Sequence, residues 1–314
     1  MFRRIHGDRV FEAFSNEETG TLVERPQKSD APTPTPRRDA SQPRSSADPV
    51  SIIVVEGLVR RFDGFTAVNR ISFEVRTGEI FAFLGPNGAG KSTTIKMLTT
   101  LLEPSEGRIL LDGHDPARDK DAVRKSFGIV FQDPSLDDDL TALENVRYHA
   151  VLYSVPKSTR EAKIEELLRL VELWDRRNAL VKTFSGGMKR RLEIARGLLH
   201  HPKILFLDEP TLGLDPQTRN HIWSYIRDVN RREAMTVFFT THYMDEAERV
   251  AERIAIIDHG TIIATGSAGE LMKRTNAASL EDAFIALTGS AIREEEVSAV
   301  DRMRARRRMF RRNR

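Results

Sequence analysis

The sequence predicts an α/β fold built on a largely parallel central sheet. Three observations predict it. Apolar strand-like runs alternate with amphipathic helical stretches, the pattern of strand–helix–strand units. Two of those runs, KILFLDEP (203–210) and TVFFTTH (236–242), are short and nearly unbroken, as strands covered on both faces are. A glycine-rich loop at residues 85–92 sits between an apolar strand and an amphipathic helix, the setting in which such loops cradle phosphate.

The chain has 314 residues, is 39% apolar and 30% charged, and holds no cysteine, so disulfides and thiolate metal sites are excluded. No stretch approaches the ~20 consecutive apolar residues of a membrane-crossing helix, and the opening MFRRIHGDRVFEAF lacks the apolar core of a secretory signal. A cytoplasmic location is therefore expected. The formal charge of +3 hides an uneven distribution. Residues 1–50 balance eight basic against eight acidic groups, and residues 301–314 carry eight arginines and one aspartate. The body between them is net −4, so a basic-surface argument for nucleic-acid binding fails.

Residues 26–49 contain six of the fourteen prolines and few large apolar groups. Such a segment cannot offset its ordering entropy, so 1–50 is expected to be a disordered leader. The folded part should begin near Ser51, where SIIVVEGLV reads as a strand, followed by ISFEV (71–75) and EIFAFLG (79–85). A helix from Lys91 would align Ile95, Leu98 and Leu102 and stop before Pro104. RILLDG (108–113) and GIVFQ (128–132) read as strands. From about Thr141 to Lys182 the pattern is helical, with Ile164, Leu167, Leu168, Val171 and Trp174 on one stripe. A helix over about Gln217–Arg232 separates the two apolar strands, and RIAIIDHGTIIATG (253–266) reads as a hairpin.

The loop Gly85, Pro86, Asn87, Gly88, Ala89, Gly90, Lys91, Ser92, Thr93 fits G-x-x-x-x-G-K-[ST]. Its glycines let backbone N–H groups converge on phosphate, and the helix N-terminus adds a positive dipole end. Lys91 would neutralise the β- and γ-phosphates and Ser92 would ligand Mg²⁺. The strand Ile204–Leu207 ends in Asp208 and Glu209. Asp208 would hold the Mg²⁺ shell and Glu209 would polarise the attacking water. A third element, Phe184, Ser185, Gly186, Gly187, Met188, opens the helix KRRLEIARGLL and offers a second anion site.

Together these motifs make residues 52–290 resemble a nucleotide-binding subunit of the ATP-binding cassette family. The resemblance implies a phosphate-loop NTPase core with an antiparallel β subdomain and an inserted helical subdomain at about 133–183. It implies a cassette over 51–267 and a helical extension over 268–292, and by composition 293–314 is a charged, arginine-rich tail. It gives Gln132 contact with the metal and attacking water and with the state of a membrane partner. It makes His242 the switch histidine, and the Gly213-to-Asp215 stretch a loop that crosses a dimer interface. Phe62, 29 residues before Lys91, matches the aromatic that stacks on adenine, with Phe65 as a rival. Met188 stands where the family usually has glutamine. The resemblance further implies that two copies sandwich two ATPs, with Ser185, Gly186 and Gly187 acting on nucleotide bound by the partner's loop.

Residues 243–248 (YMDEAE) and 280–289 (LEDAFIALTG) resemble exporter ATPases of the daunorubicin-resistance type. That implies a separate permease subunit, a second ATPase subunit and a place on the inner face of the cell membrane. The competing expectations are a soluble cassette ATPase acting on ribosomes or DNA, and an import-type ATPase. Three readings of the arginine tail stay open: a solvated end, contact with anionic lipid at about 1 kcal/mol per basic residue, or contact with RNA.

Overall fold

The computed structural model describes residues 50–289. The expectations for the leader and for the arginine tail lie outside them.

An antiparallel sheet, in the order β2–β1–β4, comes first. It joins β1 (Ser51–Phe62), β2 (Phe65–Arg76) and β4 (Glu106–Leu111). The first two strands run well past their apolar cores, because the hairpin carries the pairing from Ser51↔Arg76 out to Phe62↔Phe65. The central sheet has the order β5–β6–β7–β3–β8–β9. It contains β3 (Ile80–Leu84), β5 (Phe127–Val130), β6 (Ile204–Asp208), β7 (Thr236–Thr241), β8 (Arg253–Asp258) and β9 (Thr261–Gly266). All neighbours are parallel except β9, which turns back on β8. The non-consecutive order requires crossovers, and helices supply them.

Alternation along the central strands separates two cores. Ala82, Leu84, Leu205, Leu207, Val237 and Phe239 face one layer of helices. Phe81, Phe83, Ile204, Phe206 and Phe238 face the antiparallel sheet and α1 (Lys91–Leu98). Every residue of β3, β6 and β7 is buried, which is why these runs lack polar alternation. The first layer includes α3 (Ala142–Leu152), α4 (Lys157–Leu170), α5 (Gly186–Gly197), α6 (Pro216–Glu233) and α7 (Met244–Val250).

Local chemistry sets the helix starts. Thr141 and Glu144 form a capping box on α3, and Ser267 and Glu270 form another on α8 (Ala268–Thr275). Ser279 caps α9 (Leu280–Thr288), which ends on Gly289 at φ +73°. The stretch after β5 is divided where Ser154 takes φ +56° ahead of Pro156. Trp174 falls in a short 3₁₀ turn, although Ile164, Leu167, Leu168 and Val171 are buried on the expected stripe.

Several boundaries differ from the sequence reading, among them β4, which spans Glu106–Leu111 rather than 108–113. The first helix ends at Leu98, so Leu102 is not on it. Thr100 takes φ +63°, and the N–H groups of Leu101 and Leu102 both turn back to Lys96 O. The strand expected to reach Gln132 ends at Val130. A helix not expected from sequence, α2 (Lys120–Ser126), is capped by the Asp119 side chain. Among the described residues, no helix is long and apolar enough to cross a membrane.

Candidate functional site

Parallel register gathers the site. Leu84 pairs with Thr241, Asp208 with Thr240, and Val130 with Leu207. The loops that leave β3, β5, β6 and β7 therefore emerge at one carboxyl edge, where α/β sheets bind ligands. Those loops carry the glycine-rich turn, Gln132, Glu209 and His242. A cavity of about 400 Å³ opens there, lined by Asn87, Gly88, Lys91, Ser92, Gln132 and Glu209, with Phe62 and Phe65 at the hairpin tip.

The turn is close-packed on its inner side and open on the other. A Cβ at Gly85 would sit 2.2 Å from Ile257 O. One at Gly90, whose φ is +106°, would sit 2.6 Å from Ala67 O. Gly88 meets nothing within 4 Å. Pro86 and Ala89 are buried beneath the turn, and Asn87 is exposed. This is a cradle in which backbone amides can approach an anion without side chains intervening.

Lys91 Nζ is buried and donates to Gly85 O at 2.8 Å and Pro86 O at 3.1 Å. It also lies 3.2 Å from Glu209 Oε1. Burial lowers the Lys91 pKa below its ordinary value, and the Glu209 charge partly opposes this. Ser92 Oγ donates to Asp208 Oδ1 at 3.2 Å, and Thr240 Oγ1 donates to the same oxygen at 2.6 Å. Ser92, Asp208 and Gln132 offer a hydroxyl, a carboxylate and an amide oxygen. That all-oxygen donor set suits Mg²⁺, a hard cation that keeps waters and substrate phosphates in its shell. Thr93 also lines the cavity, beside Ser92.

Glu209 stands at φ +46°, a conformation that a non-glycine residue adopts only when its surroundings hold it. Its N–H donates to Thr240 Oγ1 at 3.0 Å. Its carboxylate faces Lys91 on one oxygen and His242 Nδ1 at 3.3 Å on the other. The His242 approach has ion-pair range but not the alignment of a hydrogen bond, so Nδ1 stays a buried polar atom without a bonded partner. Burial pushes the Glu209 carboxyl up, but the His242 ring and the Lys91 charge outweigh it and leave it below the usual glutamate range.

Phe62 is 44% exposed and carries the Arg60 guanidinium 4.6 Å above its ring, while Phe65 is 62% exposed. Both aromatics reach the cavity. Gln132 is exposed, two residues past the strand. Ser185 and Gly186 are exposed at the start of α5, and the Ser185 hydroxyl accepts from Met188 N at 3.3 Å. They are not among the residues that line the Lys91 cavity. A Cβ at Gly187 would meet Thr218 Cγ2 at 2.7 Å, and Met188 packs against the helical-layer core. Asp215 caps α6, accepting from Thr218 N at 3.0 Å and Thr218 Oγ1 at 2.6 Å.

Sequence reasoning missed two buried polar anchors. Thr240 bonds both Asp208 and Glu209, and its signal was a hydroxyl at the end of an otherwise apolar run. Glu246 accepts from Thr211 Oγ1, from Trp223 Nε1 at 2.6 Å and from Thr241 Oγ1 at 2.8 Å. It ties the segment after Glu209 to the strand that leads into His242.

Comparison with known proteins places the chain in a family. The family model described as ABC transporter matches residues 68–212. The chain is 43% identical over 226 residues to the daunorubicin/doxorubicin resistance ATP-binding protein DrrA of Streptomyces peucetius, covering 72% of this chain and 68% of that protein. It is 39% identical over 249 residues to the linearmycin resistance ATP-binding protein LnrL of Bacillus subtilis, covering 79% and 78%. The dimeric, post-hydrolysis structure of the ATP-binding cassette MJ0796 bound to ADP and Pi superimposes with a TM-score of 0.62 at 28% identity, covering 68% of this chain and 98% of that one. The chain belongs to the ABC transporter family, among its ATP-binding and ATP-hydrolysing cassettes.

Proposed function

We propose that the chain is the ATP-hydrolysing subunit of an exporter, working on the inner face of a cell membrane with a separate permease. The observation that carries the reading is the convergence of Lys91, Asp208, Glu209 and His242 at one sheet edge beside an open glycine cradle. The resemblance to two drug-resistance ATP-binding proteins supports the export direction, with a drug, lipid or polysaccharide as cargo.

In this reading residues 51–267 are the cassette, with the helical subdomain at about 133–183 inserted, and 268–292 extend it. Phe62 stacks on the adenine, Gly85 to Gly90 receive the phosphates on backbone amides, and Lys91 exchanges its Glu209 partner for the β- and γ-phosphates. Ser92, Asp208 and Gln132 would hold Mg²⁺, which would supply charge neutralisation on the phosphate oxygens. Glu209, freed from Lys91, takes the proton of the attacking water, and His242 holds the second carboxylate oxygen in place. Two copies pair so that Ser185, Gly186, Gly187 and the Met188 amide close on nucleotide bound by the other copy, with Asp215 in the loop between them. The exposed position of Ser185, away from its own Lys91 cavity, supports that arrangement.

The permease would dock in the groove of about 520 Å³ beside Phe131, Asp137, Leu140 and Arg196, where Tyr148 and Leu152 of α3 leave large apolar surface exposed. The test is drug efflux from cells that express this chain with a candidate permease. Efflux that needs both chains and vanishes with Lys91→Ala supports the reading. Efflux that survives Lys91→Ala refutes it.

A further inference from the structure

Helix α5 does more than present Ser185. One turn in from its exposed end it carries Arg190, which is 6% exposed and aimed back at the catalytic edge. Its guanidinium donates to three backbone carbonyls: Phe131 O, Gln132 O at 3.2 Å and Glu209 O at 3.4 Å. Glu193 Oε2 lies 3.3 Å from Nη1 and orients the fork. Glu193 is 1% exposed and also accepts from Ser135 N at 2.8 Å. Arg196, one turn further along the helix, donates to Ser135 O at 2.8 Å and to Ser135 Oγ.

Two consequences follow. First, Glu209 is held on both sides of its unfavourable φ. Its N–H is fixed by Thr240 Oγ1 and its C=O by Arg190 Nη2. A non-glycine residue released from such a grip relaxes out of the left-handed region, and its side chain swings with it. Second, the same guanidinium holds the carbonyl that precedes Gln132 and Gln132's own carbonyl, so the loop that carries Gln132 and the residue that carries the carboxylate share one clamp. The planar guanidinium spreads several donors in a fixed fork across these carbonyls, whereas a lysine ammonium is a compact charge on a flexible stem.

We propose that Arg190 is a positioning residue for ATP hydrolysis, which aims the Glu209 carboxylate and the Gln132 loop from the helix whose other end is Ser185. Movement of α5 therefore changes the aim of the carboxylate in its own chain, and the groove-side contacts of Glu193 and Arg196 to Ser135 feed the same clamp. The proposal rests on Glu209 as general base.

Full-length Arg190→Lys and Arg190→Gln are compared with wild type and with Glu209→Gln, singly and as the Arg190→Gln/Glu209→Gln double variant. Steady-state kinetics, single-turnover rates and thermal melting are measured for each. A carboxylate misplaced by about 1 Å costs about 10²-fold in kcat, so both Arg190 variants should lose turnover on that scale while KM for ATP stays within about threefold. In the Glu209→Gln background the Arg190→Gln change should cost far less than in wild type, because the carboxylate it aims is already gone and only its hold on the Gln132 loop remains to be lost. Arg190→Lys keeps the charge and carries the test if Arg190→Gln does not fold. Wild-type kcat in Arg190→Lys beside an inactive Glu209→Gln overturns the proposal alone, as does an equal loss in both backgrounds. Wild-type turnover in Glu209→Gln overturns the general-base reading and this proposal with it.

Discussion

Replacing Glu209 by glutamine keeps the side chain's shape and removes its charge and basicity. Two effects separate in the structure. The first is chemical: a positioned general base contributes about 10²–10⁴-fold, and turnover should fall by that factor. The second concerns the free protein. Lys91 Nζ stands 3.2 Å from Glu209 Oε1, with both side chains under a tenth exposed. At an effective dielectric of about 20 the gross attraction over that distance is about 5 kcal/mol. Desolvation of the pair offsets much of it. Lys91 retains Gly85 O and Pro86 O, so the net loss should resemble that of one buried partner, about 1–3 kcal/mol. At about 2–4 °C per kcal/mol for a domain of this size, the free variant should melt several degrees lower. Polyphosphate no longer competes with the carboxylate for Lys91, so a non-hydrolysable ATP analogue with Mg²⁺ should raise the variant's melting temperature more than the wild type's. Phosphate release and melting curves with and without the analogue measure both effects. Hydrolysis above a tenth of the wild-type rate would refute the role of the base. An unchanged melting temperature without ligand would refute the Lys91–Glu209 argument.

Gly90→Ala places a methyl 2.6 Å from Ala67 O at φ +106°, so it should destabilise the fold and abolish binding of a fluorescent ATP analogue; binding within threefold of wild type would show the cradle to be more pliant than its geometry. Glu246→Gln swaps an acceptor for a donor among three donors, which should cost about 1–3 kcal/mol and alter the Trp223 emission, because the Trp223 N–H loses its carboxylate; an unaltered spectrum and melting temperature count against that junction. His149 is pushed down to about 4 from 6.5, by burial first and then by the Arg196 and His200 charges. As pH falls from 6.5 toward 4 the unfolded chain gains a proton there that the folded chain refuses, so stability declines across that window and His149→Gln should flatten the decline in urea melts; identical slopes would contradict it.

Much of this was legible because the site follows chain order at the ends of apolar strands. KILFLDEP and TVFFTTH place Asp208, Glu209 and His242 at strand ends, and parallel pairing does the rest. Glycines at 85 and 90 were readable as a phosphate turn because residues between a strand and a helix have few other reasons to lack side chains. What was not legible depends on tertiary contact. Arg190 lies in a run of three basic residues that reads as a solvated helix face, yet it is buried because loop carbonyls wait above it. The seven residues of α2 bury only Val123 and Ser126, too few to make a period. The early end of α1 comes from the left-handed turn at Thr100, φ +63°, which folds Leu101 and Leu102 back on Lys96 O before the apolar spacing reaches Leu102 as helix.

The central claim is that nucleotide joins two copies across the exposed Ser185 end of α5. Sedimentation equilibrium of Glu209→Gln with and without ATP-Mg²⁺ tests it most directly, since that variant should hold ATP without turning it over. The account predicts a mass that doubles from 35.6 kDa on adding ATP and returns to 35.6 kDa when Ser185→Arg is also present. A mass that stays at 35.6 kDa with ATP bound would contradict it.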